Sequence, residues 1–269
     1  MAAYYNEFDP FAAAWLRALI ADGLIAPGEV DERSIKDVRG DDLKGFTQCH
    51  FFAGIGGWSY ALRLAGWPDH RPVWTGSCPC QPFSEAGPRT GIEDERHLWP
   101  DMFRLICERG PSVVFGEQIS ATDGLIWLTG VRTDLEGAGY AFGCADLGAA
   151  SVGAPHRRQR TYWMADAQGE RWRGRSRAET PAGDWAETRD AGCLVNSESE
   201  QVGQPGQPWQ HWDVVDCRDG KSRRVEPGTF PLAHGVPDRV DMLRGFGNAI
   251  VPQVAAEFIQ AADEAMMFL

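Results

Sequence analysis

The segment Gly76-Ser77-Cys78-Pro79-Cys80-Gln81-Pro82-Phe83-Ser84 follows a short apolar run and holds a cysteine between prolines that restrict its backbone. A thiol in such a loop is a nucleophile when nearby donors or a helix end stabilise its thiolate. Cys80 is the candidate, because Pro-Cys-Gln-Pro gives it a defined loop, whereas Cys78 reads as a small buried side chain. A carboxylate, Glu117, lies beyond the apolar run Val113-Val114-Phe115-Gly116; taken alone it is equally a helix cap or a surface acid. In His156-Arg157-Arg158-Gln159-Arg160-Thr161-Tyr162-Trp163, strand alternation sends Arg158 and Arg160 to one side, able to meet a base or a phosphate. A salt-bridged sheet edge explains the pair too.

Two glycine turns complete the set. Phe51-Phe52-Ala53-Gly54-Ile55-Gly56-Gly57 lets backbone approach a ligand closely and leads into a helix whose first N–H groups are free. In isolation the signal is weak, and a purely structural turn accounts for it better. Gly245-Phe246-Gly247-Asn248-Ala249 sets an asparagine on a sharp turn before a helix beginning near Pro252.

These residues need a scaffold. Asp9 caps a helix with Pro10 in its first turn. Short apolar runs at Cys49 to Ala53, Pro72 to Thr75 and Ser112 to Phe115 alternate with helical stretches at Gly57 to Leu64, Trp99 to Cys107 and Leu125 to Glu136. Such alternation implies an α/β fold around a parallel sheet, with the ligand site at the carboxyl ends of its strands. From Asp166 to about Phe230 the chain turns rich in Gly, Arg, Trp, Gln and Pro without a sustained period, as an insert or small second domain would, or a flexible surface excursion. Patterning returns at Val236 to Val240.

The chain has 269 residues, 43% of them hydrophobic, enough for one large domain or a main domain plus a small one. No stretch is long and apolar enough to suggest a membrane span, and the first seven residues lack the basic region of a secretory signal, so a cytoplasmic protein is expected. Seven cysteines with no second close Cys/His pair point to neither a disulfide scaffold nor structural zinc. A net charge of -12 argues against a protein that coats nucleic acid non-specifically. The arginines between Arg157 and Arg177 nevertheless form a basic strip that could hold DNA locally, or a solvated loop.

In their order along the chain, FAGIGG, PCQPFS, GEQI, RRQRTYW and GNAIVP resemble the motifs of the cytosine-5 DNA methyltransferases and extend from residue 52 to 252. The resemblance implies a Rossmann-like methyltransferase sheet and S-adenosylmethionine (SAM) as methyl donor. It implies double-stranded DNA as partner, a monomer, and a companion restriction enzyme as one setting. Cys80 would attack carbon 6 of a flipped cytosine, since a stacked base keeps that atom from an enclosed thiolate. Glu117 would bond the ring nitrogen and exocyclic amine, Arg160 the base oxygen, and Arg158 would support the site. The loop from Ser84 to Arg96 would close over the base. Phe52, Gly54, Gly56, Gly57 and Asn248 fall to the cofactor side. The implied division is a catalytic and SAM-binding part at 1-165, a target-recognition region at 166-230, and a return to the catalytic domain at 231-269. An RNA cytosine methyltransferase, or an inactive DNA-binding relative, are the alternatives. His156 replaces the family's usual Gln before the arginine pair.

Only 28 residues separate Phe52 from Cys80, too few for the extra strands that usually hold the ribose and adenine of the cofactor. The resemblance supplies those pieces at the front. Tyr5-Asn6-Glu7-Phe8-Asp9-Pro10 is similar to the motif whose acid binds the ribose hydroxyls, so Glu7 takes that role and Phe8 packs on adenine. Arg33-Ser34-Ile35-Lys36 is similar to the next motif, with Ser34 where an Asp is expected and Asp31 placed to compensate at the adenine amine. The expectation is a rearranged strand order, with the second and third strand units ahead of the glycine-turn unit.

Overall fold

The computed structural model describes residues 2–79, 98–154, 156–167, 193–195, 213–216, 222–225, 245 and 247–267. Cys80, the loop from Ser84 to Arg96, the Val236 to Val240 stretch and most of 166–230 lie outside them.

The first strand, β1 (Ala2–Asn6), runs into helix α1 (Pro10–Ala21). As expected, Asp9 caps that helix, its carboxylate accepting the N–H groups of Phe11 and Ala12 with Pro10 in the first turn. Next come β2 (Gly28–Asp31), β3 (Phe46–Phe51), α2 (Gly57–Leu64) and β4 (Val73–Gly76). The second half contributes α3 (Trp99–Arg109), β5 (Val113–Ile119), α4 (Thr122–Gly137), β6 (Ala141–Leu147) and β7 (Arg160–Asp166). Three short strands follow, β8 (Cys193–Val195), β9 (Asp213–Asp216) and β10 (Ser222–Val225), and α5 (Pro252–Met267) is the last helix.

Eight strands form one sheet in the order β2-β1-β3-β4-β5-β7-β6-β8, while β9 and β10 pair separately as an antiparallel ribbon. Strands β2, β1, β3, β4 and β5 are parallel, and β7 enters antiparallel between β5 and β6. The expected rearrangement is therefore present: β1 and β2 come first in the chain yet sit outside β3, the strand that leads into the glycine turn. Adjacency in a parallel sheet is set by crossovers, so the sheet is completed whichever unit comes first. Strand β8, from within the 166–230 stretch, joins the main sheet beside β6.

Alternation along the strands divides the core. On one face Tyr4, Phe51, Trp74, Val114 and Trp163 pack with Trp99, Met102 and Leu105 of α3 and Trp127, Leu128 and Val131 of α4. On the other, Ala3 and Tyr5 meet Leu16 of α1, and Phe115 and Tyr162 meet Trp58 of α2 and Phe258 of α5. Gly116 on β5 cannot be larger, because a Cβ there would lie 2.1 Å from the Trp163 ring on β7.

Two local expectations are corrected. Glu117 does not follow its strand but lies inside β5, whose pairing with β4 ends at Gly116 while its antiparallel ladder with β7 continues through Ile119. Arg158 and Arg160 do not alternate along one strand: β7 begins at Arg160, and Arg158 has φ +34°, which breaks the extended geometry.

Candidate active site

The register Asn6–Asp31, Asn6–Phe51, Phe51–Gly76 and Gly76–Gly116 brings the carboxyl ends of the five parallel strands to one edge. Glu7, Asp31, the Phe52–Gly57 turn, Ser77, Cys78 and Glu117 are consequently gathered there, although they span more than a hundred positions of sequence.

The turn after β3 is tightly wound. Phe52 has φ +51°, Gly54 φ +54° and Gly56 φ +83°; for Phe52, a side chain in this region is costly. Asn6 and Glu7, from the end of β1, brace it: the Asn6 carbonyl accepts the Ala53 N–H at 3.1 Å, and Glu7 Oε2 accepts the Gly54 N–H at 2.6 Å. Glu7 Oε1 accepts from Asp9 N at 2.9 Å. Burial pushes the Glu7 pKa up, against the backbone donors of Asp9, Gly54 and Phe8 that pull it down. Beside it Phe8 is 73% exposed, and nothing lies within 4 Å of where a Gly54 Cβ would be. A carboxylate with free lone pairs, an exposed ring and a bare glycine backbone fit a sugar diol with an attached aromatic base, which is the chemistry of the adenosyl part of SAM.

Asp31 is committed to neighbours. It accepts from Tyr4 Oη at 2.6 Å and is clamped by Arg33, whose Nη2 lies 2.7 Å away. Burial pushes the Asp31 pKa up, but the hydrogen bonds from Arg33 and Tyr4 outweigh it and leave a net lowering. Ser34 caps a short helical turn through the Lys36 N–H at 3.4 Å. Gly57 packs against Ile250, and Asn248 is exposed beside it in sequence.

On the other side of the sheet end, Glu117 is 8% exposed and its Oε1 lies 2.8 Å from Arg160 Nε. Burial raises its pKa, opposed by the charges of Arg160 and Arg158 and by a hydrogen bond from Ser77. The net shift is upward, so the site favours a proton on Glu117 more than water does. Arg158 points elsewhere: its Nη2 donates to the carbonyls of Gly247 at 2.9 Å and Ala249 at 2.5 Å, tying the turn that carries Asn248 to the start of β7. Gln118, 3% exposed, accepts the Ile119 N–H and donates at 3.4 Å to the Cys78 carbonyl, two residues before Cys80. Trp58 Nε1 donates to Ser77 Oγ at 2.9 Å. Neither Ser77 nor Gln118 carries a signal in sequence, because a serine and a glutamine become informative only once their partners 40 residues away are known. Among the described residues no group of His, Cys, Asp and Glu could hold a metal ion, and no helix is long and apolar enough to cross a membrane.

A glycine turn at the centre of a sheet with this order, braced by a carboxylate from the neighbouring strand, defines a Rossmann-like methyltransferase fold in which the units after the turn have been moved ahead of it. The sequence matches the C-5 cytosine-specific DNA methylase family over residues 67–211, more than half the chain, and the protein belongs to that family. It is 28% identical to the type II methyltransferase M.HhaI of Haemophilus parahaemolyticus, across 48% of this chain and 51% of that protein. It is 43% identical to M.NgoMIV of Neisseria gonorrhoeae, across 28% of this chain and 36% of that protein. The structure of a DNMT2 mutant from Spodoptera frugiperda aligns with a TM-score of 0.45 and 13% identity, covering 74% of this chain and 49% of that one. The chain thus spans about half, or less, of the length of these relatives.

Proposed function

We propose that the protein transfers a methyl group from SAM to carbon 5 of cytosine in double-stranded DNA, with Cys80 as covalent nucleophile. The observation that carries this reading is the pairing of buried Glu117 with half-buried Arg160, set at the strand ends beside β4, the strand that leads to Cys80.

A pyrimidine turned out of the duplex would meet three groups. The Cys80 sulfur adds to carbon 6. Glu117, its pKa raised by burial, is suited to donate a proton to the ring nitrogen with one oxygen and accept the exocyclic amine with the other. Withdrawing electrons through that nitrogen makes carbon 6 electrophilic, and addition of the thiolate leaves carbon 5 electron-rich. Arg160 holds Glu117 through Nε and has further N–H groups for the base oxygen. After carbon 5 is methylated, loss of its proton expels the thiolate and restores the ring. SAM, which Glu7, Phe8 and the backbone at Gly54 would hold, would supply the methyl group from its sulfonium, the S–CH3 bond breaking to leave a neutral thioether. The stretch 166–230 reads the target.

The test is nucleoside analysis of treated DNA together with trapping on DNA containing 5-fluorocytosine, where carbon 5 cannot lose a proton. Methylcytosine from wild type, a covalent adduct with wild type and none with Cys80→Ser are expected. Neither product across diverse DNA sequences overturns the proposal. Methylation of transfer RNA with none of DNA would instead establish the RNA alternative.

A further inference from the structure

Glu117 has a second holder besides Arg160. Ser77, the first residue after β4, is set beside Glu117 by the Gly76–Gly116 pairing of β4 with β5, where it lowers the carboxyl's pKa as a donor, and its Oγ receives the indole N–H of Trp58 at 2.9 Å. The direction of these bonds follows from the donors available. An indole nitrogen only donates, so toward Trp58 the serine oxygen must accept, and its single proton is left for the carboxylate. The indole cannot turn away: Trp58 is 3% exposed, stacked near Phe115 at 6.3 Å and edge-on to Tyr162 at 6.1 Å. Trp58 is also the second residue of α2, the helix that opens at the glycine turn.

We propose that Ser77 is a positioning residue for Glu117: its hydroxyl, oriented as a donor by the Trp58 indole, fixes the carboxyl in the plane that meets the flipped base. This rests on the function proposed above. The chain Trp58–Ser77–Glu117 joins the helix at the glycine turn to the group that recognises the pyrimidine, so the two halves of the site are held in one alignment. Arg160 alone grips a single carboxylate oxygen through Nε, and one bond permits rotation about it; a second donor from the opposite strand removes that freedom. Among the described residues, the charged and titratable groups that act on Glu117 are Arg158, Arg160 and Tyr162, all on or before β7, so Ser77 is the anchor from the β4 side.

Three variants test it. Ser77→Ala should slow single-turnover methyl transfer about tenfold, the usual scale for one hydrogen bond to a charged group, with SAM affinity within about twofold of wild type. Trp58→Phe, which keeps the ring and removes the donor, should lose less, and Ser77→Thr should recover most of the rate. If transfer needs the proton on Glu117, the alkaline fall of the rate must move to higher pH in Ser77→Ala, because a donor that favours the charged carboxylate is gone. A purely structural role would lower stability without moving that limb. Wild-type rate and an unmoved limb in Ser77→Ala overturn the proposal. Infrared titration of the Glu117 carboxyl, assigned by its absence in Glu117→Gln, reads the same contact without turnover. An upward move in Ser77→Ala supports the positioning role even if the wild type methylates nothing, and no move overturns it.

Discussion

Glu7 and Gly54 are 47 positions apart, yet the carboxylate of one accepts the backbone N–H of the other at 2.6 Å. That contact joins the end of β1 to the turn after β3, so the strand that comes first in the chain braces a loop that comes third. Glu7 Oε1 accepts the Asp9 N–H and Oε2 the Gly54 N–H, and in the proposed function the remaining lone pairs meet the sugar hydroxyls. Glu7→Gln removes the charge and turns one of these acceptors into a donor facing Gly54 N–H. SAM affinity by calorimetry should fall at least about tenfold, since a hydrogen bond to a charged group contributes about 1.5–3 kcal/mol. Unchanged affinity in a folded variant would remove Glu7 from the cofactor site.

Arg160 is the charge that keeps Glu117 ionisable in a buried place. Arg160→Met leaves the carboxylate without its ion pair, a loss of about 3–5 kcal/mol for a buried pair when the charge stays. The cost has a sign in pH. Without Arg160 the folded-state pKa of Glu117 rises further, so the penalty is greatest at alkaline pH and is relieved as pH falls and the group takes a proton. Urea unfolding at pH 8 and pH 5.5 should therefore show a larger loss relative to wild type at pH 8. Equal losses would mean that Glu117 is not the group left uncompensated.

Much of this arrangement is legible in sequence because local chemistry fixes it. Asp9-Pro10 marks a helix start wherever it stands, whereas placing β1 and β2 on the outer side of β3 needs the resemblance of Glu7-Phe8 to a family cofactor motif and a gap from Phe52 to Cys80 shorter than the family's. The glycine turn and the acid of β5 are likewise local. What alternation could not give is the direction of Arg158, because a positive φ interrupts the strand just before it starts. Nor could polarity patterns show that Thr47, Gln48 and His50 are buried on β3; they are held inside a central strand by contacts from distant elements. Ser77 is the extreme case, since both its partners are remote in sequence.

Arg158 ties the turn at Gly247–Ala249 to the start of β7. Its Nη2 bridges two carbonyls of the turn at Gly247 and Ala249, a job for a planar guanidinium rather than a compact ammonium. Arg158→Lys should loosen residues 247–251, seen as faster amide exchange there, and reduce methyl transfer about tenfold through displacement of Asn248. Slow exchange retained in that segment would show that the return is held by α5 alone.

His50 gives the fold an acid weakness separate from the site. It is 1% exposed, stacked on Tyr5 at 4.9 Å, with Nδ1 2.8 Å from Thr75 Oγ1. Burial pushes its pKa down to about 3. The unfolded chain protonates this ring near its ordinary value of 6.5, while the folded chain resists until about 3. Between those values the unfolded state binds one more proton, so stability falls as pH drops, by up to about 1.4 kcal/mol per pH unit from this group. Glu7 and Glu117, with raised pKa values, act in the opposite sense but are common to both proteins when wild type is compared with His50→Gln. The stability difference between the two, followed by urea unfolding from pH 7 to pH 4, should shrink steadily as the pH is lowered. Parallel curves would mean that His50 is already protonated in the folded protein, which a ring packed this deeply against Tyr5 does not permit.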